Sequence, residues 1–250
     1  MSNQHPLVSV IMPSYNSEIT IKDSVQSVIN QSYDNWELLI TDDCSSDDTL
    51  RIIQELAQKD KRINFFSLPE NGGAGKARNN SISEAKGRFI AFLDADDIWF
   101  PDKLEHQIDF MLKNDVALSY TGYQKFDSRG EQGVIKPPIS ITYKKLLYGN
   151  VIGCLTAIYD TAKVGKRFMP LIRKRQDMAL WLDILKDVGF AQALPDVYAK
   201  YRTDTGMTVN KWKVLSYQWQ LYRNVLKISF PNSLKYFLCY AFNGFIKAKK

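Results

Sequence analysis

Cysteine and histidine are scarce in this 250-residue chain. Its three cysteines, Cys44, Cys154 and Cys239, stand far apart and form no C-x-x-C pair. That excludes a disulfide framework and a cysteine-held metal or redox site, and three unframed thiols fit a reducing compartment. The two histidines, His5 and His106, have no partner at ligand spacing, so a Ser-His-Asp hydrolase would lack its base. Glycine (13) and proline (9) are too few for a collagen-like or low-complexity chain. No apolar run approaches the ~20 residues of a membrane span. The stretch Met1 to Pro6 lacks the basic-then-apolar order of a signal peptide, and a cytoplasmic location is expected. There is no G-x-x-x-x-G-K-[ST] and no G-x-G-x-x-G, which argues against a P-loop NTPase and a dinucleotide-dependent oxidoreductase. Asn71-Gly72-Gly73-Ala74-Gly75-Lys76 is glycine-rich without that spacing, and a flexible turn into a helix explains it as well as a ligand contact does.

Acid is missing only locally. The chain carries 33 Lys+Arg against 27 Asp+Glu, a net +6, yet residues 211–250 hold eight basic side chains, ten aromatics and no Asp or Glu. The remainder is therefore near neutral, and the basicity belongs to an aromatic C-terminal segment.

Two periods alternate through the first half. Val8 to Met12 is a short β-branched run that stops at Pro13, as a buried strand does. Ile21, Val25, Val28 and Ile29 recur at helical spacing. Trp36 to Ile40 predicts a second strand, Leu50 to Ala57 a helix capped by Asp47 or Asp48, and Ile63 to Leu68 a third strand. Ala74 to Lys86 predicts a helix and Phe89 to Leu93 a fourth strand. Strands alternating with helices predict an α/β fold, a doubly wound and mostly parallel sheet covered on both faces. Pro101 opens a helix to about Leu112, and Val116 to Phe126 reads as a strand. The middle is loops with short strands such as Leu155 to Tyr159, then a helix through Met178, Leu182 and Leu185, and a last strand over Val197 to Tyr201. Two helical stretches separated at Phe230-Pro231 close the chain.

In open α/β sheets, ligands sit at the carboxyl ends of the strands. Here strand one ends in Pro13-Ser14-Tyr15-Asn16, strand two in Asp42-Asp43 and strand four in Asp94-Ala95-Asp96-Asp97. Clustered carboxylates repel one another, and a hard divalent cation supplies the counter-charge. The alternative is that these acids cap the following helices, although one acid per helix start suffices and Asp94-x-Asp96-Asp97 has three. A strand ending in Asp-x-Asp suits a nucleotide diphosphate, because Mg²⁺ combines one or two protein carboxylates with phosphate oxygens. A metal between Asp96 and the diphosphate would stabilise charge on it as it leaves. Asp43 offers acceptors for a base N–H, and Tyr15 a ring to stack on the base.

These segments carry a resemblance. Val8 to Asn16, Thr41-Asp42-Asp43-Cys44-Ser45-Ser46-Asp47, Gly75-Lys76-Ala77-Arg78-Asn79 and Phe92-Leu93-Asp94-Ala95-Asp96-Asp97 together resemble, in order and separation, a family 2 glycosyltransferase of the GT-A fold and bacterial surface-polysaccharide (O-antigen or capsule) type. The resemblance implies a Rossmann-like GT-A domain over residues 1–210 with a helical C-terminal extension over 211–250. Within the domain, residues 1–125 would be the nucleotide-sugar-binding half and 126–210 the acceptor-binding half. It implies inverting transfer of a hexose from a nucleotide diphosphate sugar, UDP-linked by family tendency, with Mn²⁺ or Mg²⁺. By position, Pro13, Tyr15, Asn16, Asp43, Arg78, Asp94 and Ala95 would bind the nucleotide sugar and Asp96 the metal.

An inverting transfer needs a general base. Arg175-Gln176-Asp177-Met178-Ala179-Leu180-Trp181-Leu182 resembles the family's Glu-Asp followed by an aromatic-rich helix, with Gln176 where Glu is frequent. The resemblance implies Asp177 as the catalytic base and Trp181 as a candidate acceptor contact; starting the helix is the plainer role of Asp177, and the two are compatible. Tyr201 to Thr208 resembles a loop of bacterial polysaccharide members, in which Arg202 is either a phosphate contact or a solvated turn charge. The acceptor implied is a saccharide on a lipid diphosphate.

In the C-terminal segment, Trp212, Leu215, Trp219, Tyr222 and Leu226 form one apolar helix face. Leu234 to Ile246 is aromatic-rich and is closed by Lys247, Lys249 and Lys250. Either this segment packs on the body or it lies in an anionic membrane surface, with aromatics at headgroup depth. The second reading places the protein peripherally on the inner face of the cytoplasmic membrane. Nucleic acid is not expected as a partner, because the carboxylate rim would repel it. Two rival functions share these features: a nucleotidyltransferase making a nucleotide sugar, and a non-catalytic nucleotide-sugar-binding module.

Overall fold

Strands and helices alternate from the start: β1 (Val8–Ser14), α1 (Ile21–Ile29), β2 (Trp36–Asp42), α2 (Thr49–Lys59), β3 (Ile63–Ser67), α3 (Ala74–Glu84) and β4 (Phe89–Phe92). The computed structural model describes residues 5–204 and 211–247, without the side chains of 211–213 and 243–247. β1, β2 and β4 are buried at every position, which is why they read as nearly continuous apolar runs. The polar exceptions are bonded: Glu37 accepts from Ser9 Oγ (2.6 Å) and from the Lys86 backbone N–H (2.7 Å). Successive residues point to opposite faces. Ile11, Leu39, Ile90 and Phe92 therefore join one core layer, while Val10, Leu38, Phe89 and Ala91 join the other.

The chain continues through β5 (Ile98–Trp99), α4 (Lys103–Lys113), β6 (Leu118–Asp127), β7 (Gly130–Ile135), β8 (Ser140–Thr142), α5 (Tyr143–Leu146), β9 (Ile158–Asp160) and α6 (Thr161–Val164). Then come α7 (Gln176–Val188), β10 (Phe190–Arg202), α8 (Lys211–Gln220), a π-helical turn at Leu221–Val225, and α9 (Phe230–Lys247). The sheet order is β3-β2-β1-β4-β9-β6-β10-β5. Its first four strands are parallel. Beyond them the sheet is mixed, because β9 is reached through loops rather than a helical crossover and pairs antiparallel with both β4 and β6. β10 is longer than Val197 to Tyr201 alone. Pro195 interrupts its sequence pattern, and the strand absorbs that proline at a register shift between Leu194 and Val197, where a missing N–H is tolerated.

The register aligns Ser14 with Asp42 and Ile11 with Phe92, so the loops after β1, β2 and β4 open on one sheet edge. The C-terminal helices pack onto the same core: Leu221 and Tyr222 are fully buried, and the Trp219 ring meets Phe230 and Phe237 edge-on at 5.8 and 5.4 Å. The break expected at Phe230-Pro231 falls just before it, and Pro231 occupies the first turn of α9. The other face of α9 is open, with Phe230, Leu234, Leu238 and Phe242 exposed at four-residue steps. Packing thus accounts for one face of this segment. Thr205 to Thr208, Lys249, Lys250 and the side chains of Trp212, Phe245, Ile246 and Lys247 lie outside the described residues. Among the described residues, no helix is long and apolar enough to cross a membrane.

Candidate active site

The five rim carboxylates divide by what they touch. Asp42 accepts from Ser45 N (3.0 Å), Ser45 Oγ (2.5 Å) and Ser14 Oγ (3.3 Å), so it is a turn cap, the plainer of the two readings. Asp43, 3% exposed, accepts one backbone N–H on each oxygen, from Gly72 (2.8 Å) and Gly73 (2.7 Å). The glycine-rich loop is thus folded onto Asp43, and Gly73 needs its left-handed φ of 84° to make that turn. Two further left-handed residues, Asn16 (φ 47°) and Cys44 (φ 64°), follow β1 and β2 directly. Asn16 Oδ1 accepts from Ser46 N (2.9 Å) and the Tyr15 ring is half-exposed. Pro13, Tyr15, Asn16 and Asp43 stand on this edge outside the cavity described next; Ala95 is buried, its carbonyl accepting from Thr20 Oγ1 (2.8 Å).

Asp94, Asp96 and Asp97 face a cavity of about 610 Å³, bounded also by Arg78, Tyr123, Tyr201, residues 150–155, residues 173–177 and two side chains of α8, Val214 and Tyr217. Arg78 Nη2 donates to Asp94 Oδ1 at 2.5 Å and Nη1 to Gln176 Oε1 at 3.4 Å, while its Nε is buried without a partner. Burial works against the Arg78 charge, but Asp94 and, more remotely, Asp177 hold it protonated, above even the ordinary arginine range. Asp97 is 1% exposed and accepts from the Arg202 backbone N–H (2.9 Å). Burial, with Asp96 and Asp94 alongside, pushes its carboxyl well above the usual carboxylate range. The same burial and the three nearby aspartates push Tyr201 up to about 12.

Asp177 lies in the first turn of α7, and its Oδ2 accepts from Asn150 Nδ2 at 2.8 Å. The helix starts from Arg175 in a left-handed conformation (φ 70°), a strained position for a non-glycine residue and of the kind that collects at functional sites. Gln176, which replaces the family's frequent Glu, is buried and packs against Gly75, where an added Cβ would come within 2.8 Å of Gln176 Nε2. That contact joins α3 to α7 and sets Arg78 between Asp94 and the start of α7.

Two candidates are placed differently from the expectation. Trp181 is fully buried, edge-on to Phe92 at 5.4 Å, and does not line the cavity; it stands one turn beyond Asp177 on nearly the same stripe of α7, where the helix has already entered the core. Arg202 is not a cavity-lining side chain: its Nε donates to the Asp96 carbonyl (3.0 Å) and its guanidinium lies over the Phe126 ring at 4.5 Å. It shapes the Asp96 turn from behind. Asn150 and the cationic run Arg173-Lys174-Arg175 also line the cavity. For the run, the signal in the sequence is three basic residues ending two positions before the candidate base; nothing marks Asn150 in a glycine-rich loop.

Among the described residues, no three His, Cys, Asp or Glu side chains are grouped to hold a metal ion by themselves. Asp94 is engaged by Arg78, and Asp97 is buried with its charge disfavoured. Asp96 lines the same cavity, and a carboxylate there together with phosphate oxygens is the kind of donor set that Mg²⁺ or Mn²⁺ takes.

The profile of glycosyl transferase family 2 matches residues 9–167. The chain belongs to that family. The Bacillus subtilis (strain 168) protein TuaG, assigned to teichuronic acid biosynthesis as a glycosyltransferase, is 42% identical over 247 residues, spanning 98% of each chain. The Escherichia coli UDP-Glc:alpha-D-GlcNAc-diphosphoundecaprenol beta-1,3-glucosyltransferase WfgD is 43% identical over 217 residues, 86% of this chain and 85% of its own. Among solved structures, Staphylococcus aureus TarS 1–349 in complex with UDP-GlcNAc superposes with a TM-score of 0.70 at 22% identity, over 94% of this chain and 71% of TarS. That likeness establishes the GT-A fold. This family 2 glycosyltransferase thus has relatives that act in surface-polysaccharide synthesis, and its mixed central sheet with flanking helices is the GT-A architecture.

Proposed function

We propose that this family 2 glycosyltransferase moves a hexose, with inversion, from a UDP-linked sugar to a hydroxyl of a saccharide held on a lipid diphosphate, in the synthesis of a bacterial surface polysaccharide such as an O-antigen or capsule. The observation that carries this reading is one cavity shared by Asp94 and Asp96 at the end of β4 and by Asp177 of α7, with Arg78 joining Asp94 to the residue beside Asp177. The acceptor class is supported by the relative WfgD, named for a diphosphoundecaprenol acceptor.

In this reading, Pro13, Tyr15, Asn16 and Asp43 hold the base, and Asp94, Ala95 and Arg78 the ribose and sugar. Asp96 holds Mn²⁺ or Mg²⁺, which when bound neutralises charge on the departing diphosphate. The acceptor hydroxyl gives its proton to Asp177 as its oxygen bonds the anomeric carbon. The bond from that carbon to the diphosphate oxygen breaks, with its electron pair leaving on the diphosphate. Asn150 fixes one carboxylate oxygen of Asp177 and leaves the other for the hydroxyl. The open apolar face of α9 and the acid-free stretch around it support a peripheral position on the anionic inner face of the cytoplasmic membrane.

The test is thermal stabilisation of wild type and Asp96→Ala by UDP, TDP, GDP and CDP, each with and without Mn²⁺. UDP is expected to stabilise the wild type, with metal only, by about 2.7 kcal/mol at a hundredfold excess over Kd. No stabilisation by any nucleotide would remove the reading, and release of pyrophosphate in turnover would select a nucleotidyltransferase instead.

A further inference from the structure

Three consecutive cations, Arg173, Lys174 and Arg175, line the same cavity as the β4 carboxylates. Among the described residues, none of the three is ion-paired to a carboxylate. Loss of solvent and the like charges of Arg175 and Arg173 push the Lys174 ammonium below the ordinary lysine range, a strain that a bound anion relieves. Arg175 is already oriented: its guanidinium bonds the Tyr240 hydroxyl and lies 5.3 Å from that ring. Tyr240 belongs to α9, whose far face carries the exposed row Phe230, Leu234, Leu238 and Phe242.

We infer that the Arg173–Arg175 segment is a second diphosphate subsite, which binds the diphosphate of the lipid-linked acceptor. The assignment rests on the glycosyl-transfer reading above and adds to it the residues that recognise the acceptor. In that reading the donor diphosphate belongs at Asp96, where carboxylates need a cation before any phosphate approaches. The cationic segment ends two residues before Asp177, the group that must face the acceptor hydroxyl. Through Arg175 and Tyr240 it is tied to α9, whose opposite face carries the apolar row, so the helix that touches the segment also offers apolar surface to a lipid chain. Planar guanidinium groups bind phosphate oxygens in pairs, which favours this segment over a general surface charge.

The test uses the full chain and two probes, UDP with Mn²⁺ for the donor side and geranyl diphosphate for the acceptor side, with geraniol as the control lacking phosphate. Calorimetric titration compares wild type, Arg173→Gln/Lys174→Gln and the charge-preserving Arg173→Lys/Lys174→Arg. Geranyl diphosphate is expected to bind the UDP-saturated wild type, geraniol not to, and the glutamine pair to weaken geranyl diphosphate at least about tenfold. UDP affinity should stay within about twofold in all three proteins, and the charge-preserving pair should keep geranyl diphosphate within about threefold. Competition between the two probes, equal loss of UDP and geranyl diphosphate affinity, or an unchanged glutamine pair each overturns the subsite while leaving the transfer reading standing. A wild type that binds no UDP overturns that reading and the subsite with it.

Discussion

Replacing Arg78 by methionine tests the electrostatic frame of the cavity. The Arg78 side chain is 9% exposed and Asp94 33% exposed, at 2.5 Å, and Asp96 and Asp97 stand beside Asp94 in the chain. Removing the cation leaves Asp94 among like charges in a half-enclosed space. Breaking a buried pair from one side costs about 3–5 kcal/mol; the residual hydration of Asp94 puts this case near about 3 kcal/mol. For a chain of this length that is a fall in Tm of about 6–12 °C. Asp94→Asn strands the more buried partner and should cost a similar amount. The double variant Arg78→Met/Asp94→Asn, with both charges gone, should recover about 1–3 kcal/mol relative to the sum of the singles. Thermal and urea unfolding of the ligand-free proteins at pH 7.5 reads all four corners of the cycle. Single losses below about 1 kcal/mol that add within about 0.5 kcal/mol would refute the reasoning.

Lys103 is fully buried, with Nζ bonded to Gln107 Oε1, 3.4 Å from the Thr156 carbonyl and 4.9 Å from the Trp99 ring centre; burial pushes its pKa down to about 7. The unfolded chain holds that proton up to about pH 10.4, so between pH ~7 and ~10 the unfolded state binds more protons and stability from this group rises with pH. Lys103→Met should raise Tm at pH 7 by about 2–5 °C, net of the donor lost to Gln107, with the advantage shrinking toward pH 10; parallel pH profiles would contradict it. Gly87→Ala should lower Tm by about 6 °C or more, because the new Cβ lands 2.6 Å from Ser9 N and 2.7 Å from the Leu7 carbonyl, both backbone atoms of the β1 region; a calorimetric scan showing no loss would mean that this approach is looser than described.

Much of the fold is legible in the first hundred residues, because β1, β2 and β4 are buried on both faces and their apolar runs have no competing explanation. The second half is harder to read. β9 is three residues long and β10 contains Pro195, so neither carries a full period of its own, and the antiparallel insertion of β9 is a long-range fact without a local signature. At the site, Asp94, Asp96, Arg78 and Asp177 are visible as motif residues, and the structure brings all four to one cavity. Trp181 shares the stripe of Asp177 on α7 but lies one turn deeper, and how soon a helix passes from cavity to core is a matter of packing that the sequence does not display. Of the two readings open for Arg202 the structure favours the turn role, through its backbone N–H and Nε rather than its fork. The cationic run 173–175 carries no distinctive signal, because a charge run alone is most often a solvated face; its meaning comes from the cavity it lines.

The central claim is that Asp177 takes the acceptor's proton, and Asp177→Asn tests it most directly. The substitution is isosteric and keeps a partner for Asn150. Turnover of a UDP-sugar with a lipid-diphosphate-linked saccharide, using a pair that the wild type accepts, is measured beside UDP affinity and Tm in both proteins. The account predicts a kcat lower by about 10²–10⁴-fold, with UDP binding and Tm nearly unchanged. A variant that keeps kcat within about tenfold while remaining folded would contradict it.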